Sequence, residues 1–288
     1  MAADRDTHSR PDPRVNAWRA DLAAEHLRGE VDAPHYVKGE TFTVKVASTA
    51  LRHAPSHGAA MDTQLLYGED FRVYDKRGIW VWGQAGYDDY VGYVLAQDLE
   101  KPQSPTHIIS ALRSFTLVDA DVKSRPVMML SMGAKLHIPN IDAADIEARF
   151  AQLHDGSFVP CGHIVPIGCF ENDIIGVARR FLGVPYLWGG RESLGLDCSA
   201  LVQLVLMRCG YACPRDSDMQ QAVLGKIVET AQKGDLVFWQ GHVGLMSEND
   251  ILLHANASHM MVVEENFADA CTRIKKTDGA ITSIRRLS

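Results

Sequence analysis

The residues with the means to do chemistry are Cys198, in the triplet Asp197-Cys198-Ser199, and two later histidines, His242 and His254. The triplet closes a glycine-rich stretch running from Phe181 through Gly190 to Leu196, and it opens the apolar run Ala200 to Cys209. Leu201, Val202, Leu204, Val205 and Leu206 are spaced for a buried helix rather than an alternating strand, with Gly210 as its stop. Cys198 therefore falls in the first helical turn. Unpaired backbone N–H groups and the positive end of the helix dipole favour thiolate over thiol there, which suits a nucleophile. His242 and His254 lie among strand-like apolar residues on either side of an expected hairpin. A cysteine served by one imidazole, itself oriented by a third polar group, is the general arrangement for acyl transfer. Cys198, His242 and His254 fill those three roles.

Tyr-Leu-Trp-Gly-Gly (186–190), Asp-Cys-Ser (197–199), Gly-Asp-Leu-Val-Phe (234–238), Gly-His-Val-Gly (241–244) and then His254 follow one another in a fixed order. On these motifs, the stretch from about Glu171 to Ser288 resembles the NlpC family of cell-wall cysteine peptidases. The resemblance implies an α+β, papain-like domain with helices packed on an antiparallel sheet. It implies that His242 is the general base and that the Tyr186 hydroxyl joins the Cys198 N–H in stabilising an oxyanion. It also places Asp197, Ser199 and Ser217 at substrate, with Asp197 and Ser217 matching positions that hold a free peptide amine. On residue type alone, Asp197 is equally a helix N-cap, Ser217 a turn residue and Tyr186 a core aromatic.

The helix and sheet need their own signals. Ile174, Ile175, Val177, Ala178 and Phe181 are spaced for an amphipathic helix within 171–182, and strands are expected at 234–240, 243–248, 251–256 and 260–265. Upstream, period-two alternation at Phe42, Val44, Val46, Phe71 and Val73, with turns at 55–58 and 76–78, predicts short strands. Leu51 to Ser56, Gln64 to Glu69, Trp80-Val81-Trp82 and Asp89 to Val94 resemble a bacterial SH3-like barrel. A weaker copy follows at 129–136 and 156–160. The expected organisation is an arm (1–37), two small SH3-like β-barrels (38–101 and 106–167) and the peptidase domain (169–288). The arm is expected to be partly ordered, with an amphipathic stretch, Trp18 to Arg28, able to lie on a neighbouring domain. By resemblance, Asp62 and Tyr90 stand on the barrel edge that faces the active cleft.

The chain has 288 residues, 46% of them apolar, and a net charge of −7, which is ordinary for a globular protein and against a nucleic-acid footprint. No apolar run approaches a membrane span, and Met1 to Arg10 has no apolar signal core, so neither a membrane nor an exported location is expected, but the cytoplasm. The six cysteines form no dense framework and suit reduced thiols. Cys209 and Cys213 have a spacing some zinc sites use, but no second pair completes four ligands, so no metal and no cofactor is expected. The function implied is hydrolysis of murein-derived peptides at the γ-D-glutamyl–diamino acid bond, with a free N-terminal L-Ala. Two alternatives stand beside it: a non-catalytic module binding cell-wall peptide or protein, and an amidase or acyltransferase using the same Cys–His pair. Oligomeric state is not legible.

Overall fold

The computed structural model describes residues 10–139 and 149–287. Its C-terminal unit is built on α2 (Cys198–Arg208), all of whose residues are buried. A helix of mostly apolar residues, with even Gln203 and Arg208 buried, must be surrounded. One neighbour is α1 (Ile174–Arg179), shorter than the 171–182 pattern and capped by Asp173 Oδ1, which accepts the Gly176 N–H at 2.9 Å. The other is a six-stranded antiparallel sheet in the order Lys226–Ile227, Ser283–Arg286, Leu236–Trp239, His242–Glu248, Ile251–Asn256, Met261–Asn266. The last four strands are those expected; the first two, at the edge, carry too short a pattern to be read. Two further helices, α3 (Ser217–Val223) and α4 (Phe267–Ile274), escaped the sequence reading. Ala270 and Ile274 of α4 cover the second face of the sheet, against Val237, Trp239, Met246 and Leu252.

A first β unit is one seven-stranded antiparallel sheet spanning Glu40–Glu100, closed on a core of Val44, Leu51, Leu65, Phe71, Val81 and Val94. Residues 10–37 are more than a partly ordered arm. Trp18–Arg19, Leu22–Ala24 and Tyr36–Val37 pair as a small sheet, with a 3-10 turn at Glu25–Leu27. Ala17, Ala24, Leu27 and Val31 pack on Tyr74, Trp80, Trp82 and Tyr93, which is where the apolar side of the 18–28 stretch goes. A second β unit, within 107–166, holds a three-stranded and a four-stranded sheet around Ile109, Leu130, Leu136 and Val159. Part of the segment read as the second barrel, 140–148, lies outside the described residues.

Both β units are joined to the C-terminal unit through buried groups. Arg191 reaches the first, its Nη1 and Nη2 donating to Glu69 Oε2 and Oε1 at 2.7 and 2.9 Å. Gly189 makes this contact geometrically feasible: its φ is +72°, and a Cβ there would lie 2.6 Å from the Met61 carbonyl. Ser193 reaches the second, its N–H and hydroxyl both meeting Ser131 Oγ, at 3.0 and 2.9 Å. Among the described residues, no helix is long and apolar enough to cross a membrane.

Candidate active site

Asp197 starts α2 by accepting the Ala200 N–H on Oδ1 at 2.9 Å, which sets Cys198 as the first helical residue. Its carboxylate is then filled. Oδ1 also accepts Ser199 Oγ and Arg215 Nη1, while Oδ2 accepts the Gly189 N–H and Arg215 Nη2. Arg215 is itself buried and also bonds Thr63 Oγ1 at 2.7 Å, so loop, helix and first β unit meet on one ion pair. The Asp197 charge and the Ser199 hydroxyl, which accepts Arg215 Nη1 at 2.8 Å, are thus used internally. Asp197 nonetheless lines the cavity described below, where it presents a carboxylate already paired with Arg215.

The Cys198 side chain is almost fully buried, with the backbone N–H groups of Val243 and Ser199 acting on its sulfur. Burial, followed by the Asp197 carboxylate, pushes the thiol up to about 12. Burial therefore acts against the thiolate that a helix start favours. Burial, then His254 and Arg273, pushes His242 down to about 3. Burial thus shifts both groups toward their neutral forms.

His242 opens its strand immediately before Val243, with its ring 5.7 Å from that of Trp239. Its Nε2 lies 2.8 Å from His254 Nδ1, across the hairpin as expected. Gly244 makes room for this: a Cβ there would stand 3.3 Å from the His254 Cβ and 2.8 Å from Leu252 Cδ1. Beyond it, His254 Nε2 lies 2.6 Å from Glu265 Oε1 and 2.9 Å from Asn256 Nδ2. Tyr186 is placed by edge pairing: Gly183 and Tyr186 donate to the Val262 and Met260 carbonyls at 2.9 Å. Burial, with Cys198 and Asp197 beside it, keeps its phenol protonated and hence a donor.

Cys198, Tyr186, Asp197, Ser199, Ser217, Asp62 and Tyr90 all line one cavity of about 250 Å³, while His242 and His254 stand outside that lining, His254 wholly buried. A larger cavity of about 660 Å³ lies in the first β unit among Phe42, Val73 and Val81, with no cysteine, serine, threonine or histidine in its wall. The smaller one is where the chemistry is. Its acidic wall has a member the sequence reading passed over as a turn residue, Asp216, whose Oδ2 accepts the Tyr90 hydroxyl at 3.1 Å and Arg14 Nη1 at 2.9 Å. Burial raises both Asp216 and Asp62, and the proximity of Asp216 raises Asp62 further. Trp188, 70% exposed, completes the rim. Glu265, Arg215 and Arg14 were missed as well, because their roles come from contacts remote in sequence. The Asn256-to-Glu265 hairpin, with a carboxylate facing back towards His254, was the one available signal.

Comparisons with known proteins agree with this geometry. Residues 183–275 match the NlpC/P60 family, and residues 51–99 match the bacterial dipeptidyl-peptidase SH3 domain. A γ-D-glutamyl-L-lysine dipeptidyl-peptidase of Bacillus subtilis is 30% identical over 219 residues, covering 68% of this chain and 72% of the relative. The chain belongs to the NlpC/P60 family of cysteine peptidases. A protein of the same name from Bacillus cereus is 25% identical over 227 residues, covering 70% of this chain and 66% of its own length. An NlpC/P60 family crystal structure from Bacillus cereus shares the fold, with a TM-score of 0.71 at 19% identity over 86% of this chain and 99% of that one. As a member of this family the chain is a hydrolase, and the SH3 match falls on the unit that supplies Asp62 and Tyr90.

Proposed function

We propose that this NlpC/P60 peptidase cleaves the γ-D-glutamyl–diamino acid bond of murein-derived peptides that carry a free N-terminal L-Ala. The observation that carries this reading is the pair Asp62 and Asp216, half-buried in the cavity that holds Cys198, with Asp216 accepting the Tyr90 hydroxyl. Two carboxylates raised by burial favour a cation between them, and a peptide ammonium is the cation such a substrate brings. Ser217 offers its hydroxyl beside it. At about 250 Å³ the cavity is below the roughly 300–1,000 Å³ of pockets that bury drug-sized ligands, so it suits a short peptide end and not a polymer strand. The names of the Bacillus relatives support the same bond.

In this mechanism the Cys198 sulfur attacks the γ-carbonyl of D-glutamate as its proton passes to His242. The Cys198 N–H and the Tyr186 hydroxyl hold the oxyanion. The intermediate collapses with the proton returning from His242 to the departing amine, and water, deprotonated by His242, then releases the acyl group from sulfur. His254 orients His242. Residues 38–101 and 106–167 serve as two barrels, the first walling the cavity. A peptide still joined to sugar through its L-Ala has no ammonium to offer, so the substrate is a free fragment, and the setting is recycling in the cytoplasm.

The test is mass spectrometry of L-Ala-γ-D-Glu-diamino acid peptides, free or N-acetylated, incubated with the wild type and with Asp62→Ala and Asp216→Asn. Acetylation should reduce kcat/KM about ten- to hundred-fold, the worth of a charge-assisted hydrogen bond of about 1.5–3 kcal/mol. Both variants should narrow that gap by losing the free peptide. Equal cleavage of the two peptides by the wild type overturns the amine reading, and unchanged turnover by Cys198→Ala overturns the nucleophile.

A further inference from the structure

We propose that Glu265 is a positioning residue that fixes the tautomers of both histidines, so that His242 Nδ1 is left bare to take the Cys198 proton. This rests on the roles given above to Cys198 and His242 but not on the identity of the peptide. A histidine paired to a histidine is ambiguous. The 2.8 Å contact from His242 Nε2 to His254 Nδ1 is satisfied by a proton on either nitrogen. One choice leaves His242 Nδ1 with a lone pair; the other places a hydrogen there and removes the base.

The choice is made at the far nitrogen, His254 Nε2, where two partners make opposite demands. Glu265 Oε1, at 2.6 Å, is an acceptor and requires an N–H. Asn256 Nδ2, at 2.9 Å, is a donor and requires a lone pair; its orientation is set because Asn256 Oδ1 accepts the His259 N–H at 2.9 Å. A charge-assisted bond is roughly twice as strong as a neutral one, so the carboxylate prevails. Its charge is secure. Arg273, from α4, donates to the same oxygen, and the bonds from His254 and then Arg273 hold Glu265 at about 2. His259 Nδ1 stands 3.9 Å from that oxygen. His254 stays neutral, since burial lowers it more than Glu265 raises it. The order is then fixed throughout: His254 Nε2–H donates to Glu265, His242 Nε2–H donates to His254 Nδ1, and His242 Nδ1 carries the lone pair.

The structure also defines what happens when Glu265 is removed. Asn256 then faces His254 Nε2 unopposed, and its N–H group draws both rings into the other tautomer. Glu265→Ala should therefore lose about 10²- to 10⁴-fold in kcat, the upper figure being what a triad histidine in the wrong tautomer costs. KM should stay within about threefold, because Glu265 is no part of the cavity wall. Nitrogen-15 NMR of labelled histidines should show His242 protonated on Nε2 in the wild type and on Nδ1 in E265A. Adding Asn256→Ala to E265A should recover activity at least tenfold. Should E265A not fold, Glu265→Gln keeps the shape without the charge, and its spectra should show mixed tautomers. His242 still protonated on Nε2 in the variant that folds, or turnover within threefold of wild type, overturns the proposal. The spectra need no substrate, so a failure of the peptide assay in the wild type faults the proposed activity and leaves the tautomer result readable.

Discussion

The two β units meet the catalytic unit in opposite ways. The first meets it with charge: the Arg191–Glu69 pair is bidentate with both side chains 1% exposed, Thr63 bonds Arg215, and Asp62 and Tyr90 continue into the cavity wall. The second meets it through neutral partners: Ser131 on Ser193, Ile108 and Met132 against the α2 core, and Arg113 and Arg180 on the carbonyls of Ser193 and Ser110. A guanidinium fork accepts a carboxylate in one planar geometry, whereas apolar contact is non-directional. The unit that shapes the substrate cavity is therefore held by the interaction with the least angular freedom. The unit that lines no part of that cavity is held by packing and by hydrogen bonds to neutral partners.

The largest effect should come from breaking the first contact. Glu69→Ala leaves Arg191 buried and unpaired, which costs about 3–5 kcal/mol. Ser131→Ala leaves only neutral Ser193 groups without their partner, about 1–3 kcal/mol. Urea unfolding of the two variants beside the wild type checks the ranking; equal losses would dissolve the contrast.

Acid should sharpen it. Burial raises Glu69, but the charge and hydrogen bonds of Arg191 outweigh burial and hold it below its usual value of 4.5. Its contribution is thus complete above about 4.5 and lost as pH falls through the lower folded value. His242 and His254 are lowered by burial, His242 to about 3, so the unfolded chain takes up protons near 6.5 that the folded chain refuses. That loss begins as pH falls below about 6.5. A Tm-against-pH curve should accordingly fall in two stages. Glu69→Gln should flatten the stage below pH 4.5, leaving a remainder from Glu265 and from other carboxylates held below their usual values, such as Asp12, Asp75, Asp218 and Glu264, while Ser131→Ala should lower the whole curve without changing its shape. A lower stage identical in E69Q and wild type would contradict the assignment.

What could be read from the sequence divides along physical lines. The α2 run, the four-strand pattern and the His242–His254 spacing are local periodicities, and each reappears as a helix, a sheet and a 2.8 Å contact. Arg191 and Arg215 resisted reading because an arginine is presumed solvated until its partner is known: Glu69, the partner of Arg191, lies in another unit, and Asp197, the partner of Arg215, lies eighteen residues away across a helix and a turn. The raised thiol has a related origin: a helix start is visible in sequence, but the burial that opposes it belongs to the assembled fold. Residues 10–37 alternate too briefly to announce a sheet that exists only against Trp80 and Trp82.

The smallest expected effect tests how far the first unit's charged contact extends. Arg14, in the turn before the small sheet on that unit's flank, donates to Asp216, Asp218 and Asp12 and is one of the groups opposing the burial that raises Asp216. Its side chain is 38% exposed, where an ion pair is worth about 0.2–1 kcal/mol. Removing it leaves Asp216 easier to protonate. Arg14→Ala should therefore shift the acid limb of kcat/KM for free-amine peptides to higher pH, with a loss of at most about fivefold on that limb and little change at pH 8, where Asp216 is ionised either way. The N-acetylated peptide has no ammonium to bind and should show no such shift. A uniform loss at all pH values and for both peptides would mean that Arg14 holds the flank in place rather than tuning the carboxylate, and the electrostatic reach of the first unit would then end at Tyr90.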